Sequence, residues 1–192
     1  MNPVIQAADN VALGPATPGG CAIAKVGTDD QRHVVGIGEF AVSDRPGDLI
    51  VTHALGSCIA VCLWDPQAGV AGLIHFLLPE ARINPQRAID QPAAFADTGI
   101  PLVFQTAYQL GAVKARLRVR LVGGAEIVGN TTGGGTFNIG RRNLLAAKNV
   151  LWRNGVLIEK EEVGGRTVRT VHMTVSDGRV QVSTGRDVVV TL

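Results

Sequence analysis

The sequence has little cysteine and almost no net charge. Three cysteines among 192 residues are too few, and odd in number, for a disulfide framework, so a reduced thiol is available for chemistry. The net charge is only +2, and the basic residues are scattered apart from the short groups Arg116/Arg118/Arg120 and Arg141/Arg142. Proteins that bind nucleic acid usually carry a strongly basic stripe, so the composition disfavours a nucleic-acid partner.

Long apolar runs are absent as well. No run approaches the roughly 20 residues that a membrane-spanning helix needs, and the first residues lack the charged start and apolar segment of a secretory signal. We therefore expect a cytoplasmic protein without membrane insertion. Hydrophobic residues still make up 46 % of the chain, which can fill the core of one domain of this length.

The first part of the chain differs in composition from the rest. Residues 1–20 mix Asn, Pro, Ala, Gly and Thr without periodicity, and ordering them would bury little apolar surface. Apolar residues return from Val34 onward. We predict a flexible N-terminal extension over residues 1–33 and a single domain over residues 34–192.

Short apolar runs bounded by turn residues predict a series of strands in this domain. Their expected ranges are 49–52, 59–64, 70–78, 117–122, 156–160, 167–175, 179–184 and 188–192. Two other segments have helical spacing. One is capped by Asp97 or Thr98 and ends at Gly111, with Pro101 in its first turn. The other is capped by Asn138, runs through Asn154 and has Gly155 as its C-terminal stop. Adjacent hairpins with two separate helices predict an α+β domain, with a sheet packed on a second sheet or on helices.

Cys58 lies at the start of a hairpin whose second strand carries His75. A catalytic thiol needs a neighbouring base, because free cysteine is only a few per cent thiolate at neutral pH. If the hairpin loop is residues 65–68, the two side chains oppose each other directly, with Cβ atoms roughly 5 Å apart. A loop of residues 66–69 makes them diagonal neighbours on one face, roughly 7 to 8 Å apart. A five-residue loop would put them on opposite faces unless a bulge intervened.

The residues before Cys58 suit the chemistry of acyl transfer. Gly56 and Ser57 allow the backbone to turn sharply and aim amide N–H groups at a developing oxyanion, so we expect them to support the site. Thr52, six residues before Cys58, could exchange a hydrogen bond with the second nitrogen of His75 and fix the tautomer of its ring.

On spacing alone, each of these residues also has a structural interpretation. Cysteine is among the most buried residue types, and Cys58 and His75 could both be core residues. Cys62 lies roughly 13 Å from Cys58 along a strand, too far for a disulfide, and we expect it to fill the core. A metal site is disfavoured, because Cys58, Cys62 and His75 lack the paired short spacings of zinc ligands.

A glycine-rich segment, residues 123–135, precedes the second helix. It contains neither the Gly-Lys-Ser/Thr sequence of a P-loop nor the Gly-x-Gly-x-x-Gly fingerprint of a dinucleotide site. We therefore expect these glycines to let the loop lie close to another stretch of backbone, with contact to a phosphate as the less favoured alternative.

Several segments together resemble the CheD family of chemoreceptor glutamine deamidases. The first block consists of Thr52, Leu55-Gly56-Ser57-Cys58, Asp65-Pro66, Gly72, His75-Phe76 and Leu78-Pro79. Later blocks, in the order of that family, are Leu121–Ala125, Asn138–Asn143 and Val163–Gly165 followed by Arg169. The resemblance covers roughly residues 34–184, and Val168 departs from it where a glycine is expected.

The resemblance implies an activity and a site. Cys58, His75 and Thr52 match the catalytic cysteine, histidine and threonine of the family. The implied reaction converts glutamine side chains of methyl-accepting chemotaxis receptors to glutamate through a cysteine thioester. It requires no cofactor, and glutamyl methyl esters could be hydrolysed in the same way.

The resemblance also implies a fold and a partner. The expected fold is a layered α/β sandwich of mixed, mostly antiparallel sheets with two main helices, similar to deamidating toxins of the cytotoxic necrotizing factor type. Some family members are bound and regulated by the phosphatase CheC. The alternative function is therefore a module that docks on a receptor or on CheC without chemistry.

Overall fold

Two β-sheets and three α-helices form the part of the chain that the computed structural model describes, which is residues 21–23, 31–126, 138–185 and 187–192. The helices are α1 (Pro85–Asp90), α2 (Ala96–Gln109) and α3 (Ile139–Arg153). The strands are β1 (Cys21–Ile23), β2 (Arg32–Val35), β3 (Glu39–Ser43), β4 (Leu49–Leu55), β5 (Ile59–Asp65), β6 (Val70–Phe76), β7 (Arg118–Gly123), β8 (Ile158–Val163), β9 (Arg169–Thr174), β10 (Val180–Thr184) and β11 (Asp187–Thr191). None of the described helices is both long and apolar enough to span a membrane.

The strands form one sheet of six and one of five. The six-stranded sheet has the order β1-β3-β6-β5-β7-β8, and the five-stranded sheet has the order β11-β10-β9-β4-β2. Three neighbouring pairs are parallel, namely β1 with β3, β7 with β8 and β2 with β4, and the other pairs are antiparallel. The predicted α+β domain of mixed, mostly antiparallel sheets is confirmed, and α2 and α3 are its two main helices. The likeness to the toxins stays a prediction.

The six-stranded sheet lies between the helices and the five-stranded sheet. On one face, Val61 and Ile74 pack with Phe104 of α2 and Leu151 of α3. Each of these side chains is fully buried, and burying one of them stabilises the fold by about 1.5–3 kcal/mol. Because β6 is covered on both faces, all seven of its residues are buried. The layers are therefore helices, six-stranded sheet and five-stranded sheet.

The second face of the six-stranded sheet packs on the five-stranded sheet. Ala60 of β5 and Leu73 of β6 lie in one buried cluster with Ile50 of β4 and Val171 of β9. Alternate residues of a strand point to opposite faces, so His75, two residues after Leu73, also points into this space between the sheets. Thr52, two residues after Ile50, points into it from the other side.

The predicted caps of α2 are wrong. The residue before the helix is Phe95, and its side chain makes no capping hydrogen bond. Asp97 lies within the first turn and accepts the backbone N–H of Ala81, at 2.9 Å and 3.1 Å to its two oxygens. The hydroxyl of Thr98 donates to a backbone carbonyl. Pro101 lies farther inside the helix than predicted, because the helix begins at Ala96 and not at residue 98 or later.

The predicted helix ends are confirmed elsewhere. The side chain of Asn138 caps α3 by accepting the backbone N–H of Arg141 at 2.9 Å. Gly155, just past the C-terminus of α3, has a φ of +62°, and Gly111, just past that of α2, has a φ of +93°. A left-handed residue after the last turn is a common helix stop, and glycine adopts it without steric cost.

Part of the predicted N-terminal extension pairs with the sheets. Residues 21–23 pair with β3, and β2 begins at Arg32 and pairs with β4. Buried Asp48 holds this region, since it accepts hydrogen bonds from His33 Nε2 and Ser43 Oγ, both at 2.7 Å, and from the N–H of Gln31 at 3.1 Å. Burial alone would raise the pKa of Asp48, but these hydrogen bonds outweigh it and lower the pKa.

Asp65 determines the shape of the β5–β6 hairpin. Its buried carboxylate accepts the backbone N–H groups of Gln67 and Ala68 in the loop and that of Val113 after α2. It also forms a salt bridge of 2.7 Å with Arg116. Burial opposes ionisation, but the Arg116 side chain and the N–H groups prevail and lower the pKa of Asp65 to about 2. Asp65 is therefore the last residue of β5, and the loop follows it.

Candidate active site

The register of the hairpin places Cys58 and His75 on one face. Asp65 pairs with Val70, so the loop is residues 66–69, and Ala60 pairs with His75. Among the hairpin loops that the sequence allows, the structure has the one that makes Cys58 and His75 diagonal neighbours. Cys58 precedes β5 by one residue and packs against the cluster between the two sheets.

His75 receives a partner from the opposite sheet. Thr52 Oγ1 lies 2.7 Å from His75 Nδ1 and 2.7 Å from the backbone oxygen of Val35. A hydroxyl has one proton, and the carbonyl of Val35 can only accept, so Thr52 donates to Val35 and accepts from the Nδ1–H of His75. Because His75 must donate at Nδ1, the proton of the neutral ring lies on Nδ1 and the lone pair lies on Nε2.

The Nε2 atom of His75 has no hydrogen-bond partner among the described residues, although it is buried. Burial lowers the pKa of His75 to about 4, because the imidazolium would be poorly solvated. The ring is therefore neutral at pH 7, with an acceptor nitrogen available. An unpaired polar atom in the interior costs about 1–3 kcal/mol, and such costs are typical of functional sites.

The thiol of Cys58 is only partly buried. Burial raises its pKa, and the backbone N–H of Cys58 itself offsets part of this effect. At neutral pH the resting pair is accordingly a thiol and a neutral imidazole, and not a preformed ion pair. Such a pair reacts when the base removes the thiol proton during attack on a carbonyl carbon.

A β-bulge in β4 leads the chain from Thr52 to Cys58. The pairing of β4 with β9 shifts register between Thr52 and Leu55, and Ala54 has a φ of +58°. The extra residue lets both Thr52 and Leu55 point inward, although three positions apart they would face opposite sides of a regular strand. The N–H of Gly56 then bonds to the carbonyl of Ala54 at 2.9 Å, which closes a tight turn. The left-handed residue of this turn is Ala54 and not Gly56, where the sequence suggested the sharp turn.

The backbone carbonyls of residues 56–58 are all held by donors from elsewhere in the fold. In chain order the donors are the N–H of Ala125 (2.8 Å), the side-chain Nδ2 of Asn143 (3.0 Å) and the N–H of Gly124 (2.7 Å). In a trans peptide the N–H points away from the preceding carbonyl. The N–H groups of Ser57 and Cys58 thus point away from these donors, and neither has a backbone acceptor within the described part of the chain. Two such N–H groups can receive an oxyanion.

Glycines allow this close approach of backbones. A Cβ atom on Gly123, whose φ is +114°, would lie 2.3 Å from the carbonyl oxygen of Cys58. A Cβ atom on Gly140 in α3 would lie 2.5 Å from the carbonyl oxygen of Gly124. The expectation that the glycine-rich segment lies close to another backbone is confirmed at Gly123 and Gly124, while residues 127–135 of that segment fall outside the described residues.

Cys62 and His53 do not join this arrangement. Cys62 is 1 % exposed, and burial raises the pKa of its thiol to about 12, which confirms it as a core residue. His53 is exposed and lies 3.3 Å from an Arg32 nitrogen. Within the described ranges, no group of three or more His, Cys, Asp or Glu side chains could hold a metal ion.

The sequence did not indicate two residues of the site. Ala54 supplies the bulge, although alanine is not a residue type that marks a left-handed position. Asn143 contacts the carbonyl of Ser57 from α3, 86 positions away in the chain. Its signal in the sequence is membership of the Asn138–Asn143 block of the family resemblance.

Comparison with solved structures finds distant similarity. A hypothetical protein YfiH of Bacillus licheniformis aligns with 66 % of this chain and 51 % of its own, so the chain spans about half the length of that protein. The TM-score is 0.34 and the sequence identity is 13 %. A similarity of this size carries no conclusion about fold or function.

Sequence comparison gives a clear relationship. A relative from Anaeromyxobacter dehalogenans, named probable chemoreceptor glutamine deamidase CheD 2, is 46 % identical over 154 residues, which cover 80 % of this chain and 95 % of the relative. A relative from Syntrophus aciditrophicus, named probable chemoreceptor glutamine deamidase CheD 1, is 44 % identical over 77 % of this chain and 90 % of its own. The family model described as CheD chemotactic sensory transduction matches residues 77–184. The chain therefore belongs to the CheD family.

Proposed function

We propose that this protein is a protein-glutamine deamidase that converts glutamine side chains of methyl-accepting chemotaxis receptors to glutamate. One observation carries the proposal: Thr52 fixes the tautomer of His75 so that a bare Nε2 lies on the strand face that Cys58 shares. A thiol that shares a strand face with a neutral imidazole acceptor is the combination that a cysteine amidohydrolase uses. The names of the relatives supply the substrate class.

The first half of the reaction forms a thioester. The Cys58 sulfur attacks the carboxamide carbon of a receptor glutamine while His75 Nε2 accepts the thiol proton. The carbonyl oxygen becomes an oxyanion, which the N–H groups of Ser57 and Cys58 stabilise. When the intermediate collapses, the C–N bond breaks, Nε2–H returns its proton to the leaving nitrogen, and ammonia departs.

The second half hydrolyses the thioester. Water attacks the acyl carbon as His75 Nε2 takes one of its protons. The C–S bond then breaks, the proton passes to the Cys58 sulfur, and a glutamate side chain is released. A glutamyl methyl ester would give the same thioester with methanol as the leaving group, so the proposal includes methylesterase activity. No cofactor takes part in either half.

Thr52 acts on the ring through orientation and not through charge. A neutral hydroxyl cannot stabilise an imidazolium as an aspartate would, and the low pKa of His75 agrees with that arrangement. The imidazolium then exists only while it carries the proton from sulfur to the leaving nitrogen. A short-lived acid of this kind releases its proton readily to the departing ammonia.

The proposal is tested with a purified receptor cytoplasmic fragment that carries glutamine at its modification sites. We expect the protein to release ammonia in an amount equal to the number of glutamines that mass spectrometry finds converted to glutamate. A fragment with glutamate already at those sites should release none. Receptor binding without ammonia release would instead favour a docking module, and receptor cleavage would favour a thiol protease. CheC as a regulatory partner stays a prediction from the resemblance.

The pH dependence of the reaction should reflect the burial of His75. The base must be unprotonated, and burial lowers its pKa to about 4, so activity should be lost only as the pH falls toward that value. An ordinary histidine would lose activity below about pH 6.5. We expect kcat/KM for ammonia release to change little between about pH 7 and about pH 5, with circular dichroism verifying the fold at each pH. A fall of kcat/KM centred near the ordinary histidine pKa of about 6.5 would contradict this role of burial.

A further inference from the structure

We infer that Asn143 of α3 is a positioning residue for the oxyanion hole, an inference that rests on the proposed deamidase function. Its side chain is fully buried. The Nδ2 atom donates to the backbone oxygen of Ser57 at 3.0 Å and to that of Leu77 at 2.8 Å. One amide group therefore joins the nucleophile segment to the end of the strand that carries His75.

The orientation of this amide is determined by its partners. Both acceptors are backbone carbonyl oxygens, which cannot donate, so the nitrogen of Asn143 must face them and both of its N–H bonds are used. Neither a carboxylate nor an aliphatic side chain of similar shape could make these two bonds. Asn143 is thus matched chemically as well as sterically to its place.

The bond to Ser57 sets the direction of the N–H of Cys58. The carbonyl of Ser57 and the N–H of Cys58 belong to one planar trans peptide, so fixing the oxygen at one end fixes the N–H at the other. A donor on the carbonyl also polarises the peptide and strengthens the opposite N–H as a donor. Asn143 therefore both aims and strengthens one of the two proposed oxyanion donors.

The bond to Leu77 anchors the Asn143 amide to the end of the strand that carries His75. Leu77 lies two residues after His75, and its own N–H bonds to the carbonyl of Ala94 at 3.0 Å. Both backbone polar groups of Leu77 are therefore bonded, so the Asn143 amide has a fixed anchor from which it directs the Ser57–Cys58 peptide. Oxyanion stabilisation depends strongly on such preorganisation, because a misdirected donor is worth little in the transition state.

The other end of the Asn143 amide supports a geometric role. Its Oδ1 atom is buried and has no hydrogen-bond partner among the described residues. A buried acceptor without a partner is unfavourable, and a residue serving only to fill space would avoid it by being apolar. The two N–H donors are the property of Asn143 that compensates for this cost.

The test compares two reactions of Cys58 in three variants. Deamidation passes through an oxyanion, whereas alkylation by iodoacetamide is a displacement that needs the thiol and His75 but no oxyanion hole. Asn143→Leu removes both donors with similar volume, Asn143→Asp replaces the NH₂ by oxygen, and Asn143→Ser retains one donor. We expect Asn143→Leu and Asn143→Asp to lower kcat for ammonia release by roughly 10²-fold with little change in KM, and Asn143→Ser to lie between them and the wild type. Alkylation rates of Cys58 should stay within about twofold of wild type.

The control is Asn154→Ala, at the far end of the same helix. It removes a partly buried side-chain hydrogen bond, from Asn154 Nδ2 to the backbone oxygen of Val150 at 2.7 Å. It should change stability but not the ratio of deamidation to alkylation. Equal changes in both reactions of the Asn143 variants, unchanged kcat, or failure of all three variants to fold would each overturn the inference. If the wild-type protein released no ammonia, the proposed function itself would fail, which is a different result from an active wild type with equally active Asn143 variants.

Discussion

Replacing Cys58 by alanine is expected to reduce ammonia release from the receptor fragment to the rate without enzyme. Alanine has no nucleophile, and the thioester cannot form, so the loss should exceed about 10⁴-fold in kcat. The fold should persist, because Cys58 is only partly buried and packs at the edge of the cluster between the sheets. The measurement is ammonia release together with mass analysis of the receptor, with circular dichroism to verify folding.

A matched control is available four residues further along the chain. Cys62→Ala also removes one thiol, but Cys62 is 1 % exposed and the pKa of its thiol is raised to about 12, so it takes no part in the proposed reaction. Its variant should retain kcat. Iodoacetamide should likewise label Cys58 in the wild type and leave Cys62 unlabelled while the protein is folded. Full deamidation by Cys58→Ala would show that the proposed mechanism is wrong.

Replacing His75 by alanine should give the next largest loss. The variant retains the thiol but lacks the base, and the raised pKa of Cys58 leaves little thiolate at neutral pH. We expect kcat for ammonia release to fall by roughly 10²–10⁴-fold, the usual contribution of a general base. Alkylation of Cys58 at pH 7 should slow as well and recover only as the pH is raised toward the pKa of the thiol.

Two further variants test whether the loss of activity is specific to His75. Thr52→Val keeps the imidazole but removes the acceptor of its Nδ1–H, so the proton can move to Nε2 and a smaller loss of kcat is expected. His172→Ala removes a partly buried histidine of β9 and should leave kcat unchanged. An active His75→Ala protein with an unaltered pH profile of Cys58 alkylation would contradict the assignment of His75 as the base.

The hairpin shows how far sequence reasoning reaches. Because alternate residues of a strand share a face, the sequence predicted that Cys58 and His75 could lie on the same face of the hairpin. Three different hairpin loops, however, were compatible with the sequence. The Asp65 carboxylate decides between these loops. It accepts the N–H groups of Gln67 in the loop and of Val113, and so ends β5 at Asp65. Val113 follows α2, so a contact distant in sequence determines a register that local patterns leave open.

In the helices, too, the sequence predicts what depends on local backbone geometry, and the tertiary structure decides what depends on distant contacts. Periodicity predicted α2 and α3, and the stop signals Gly111 and Gly155 were right because glycine acts through local backbone geometry. The cap of α2 was wrong, because Asp97 finds a better partner in the backbone of Ala81, which a preceding 3₁₀ turn brings next to it. Capping preferences are local, and a tertiary hydrogen bond can override them.

By itself, the sequence determined the alternation of strands and helices and the membership of the family, because both depend on neighbours along the chain. Only the tertiary structure decided that Thr52 would meet His75 across two sheets and that Asn143 would hold the carbonyl of Ser57 from a helix. Contacts between layers depend on how whole elements pack, and no periodicity along the chain encodes them.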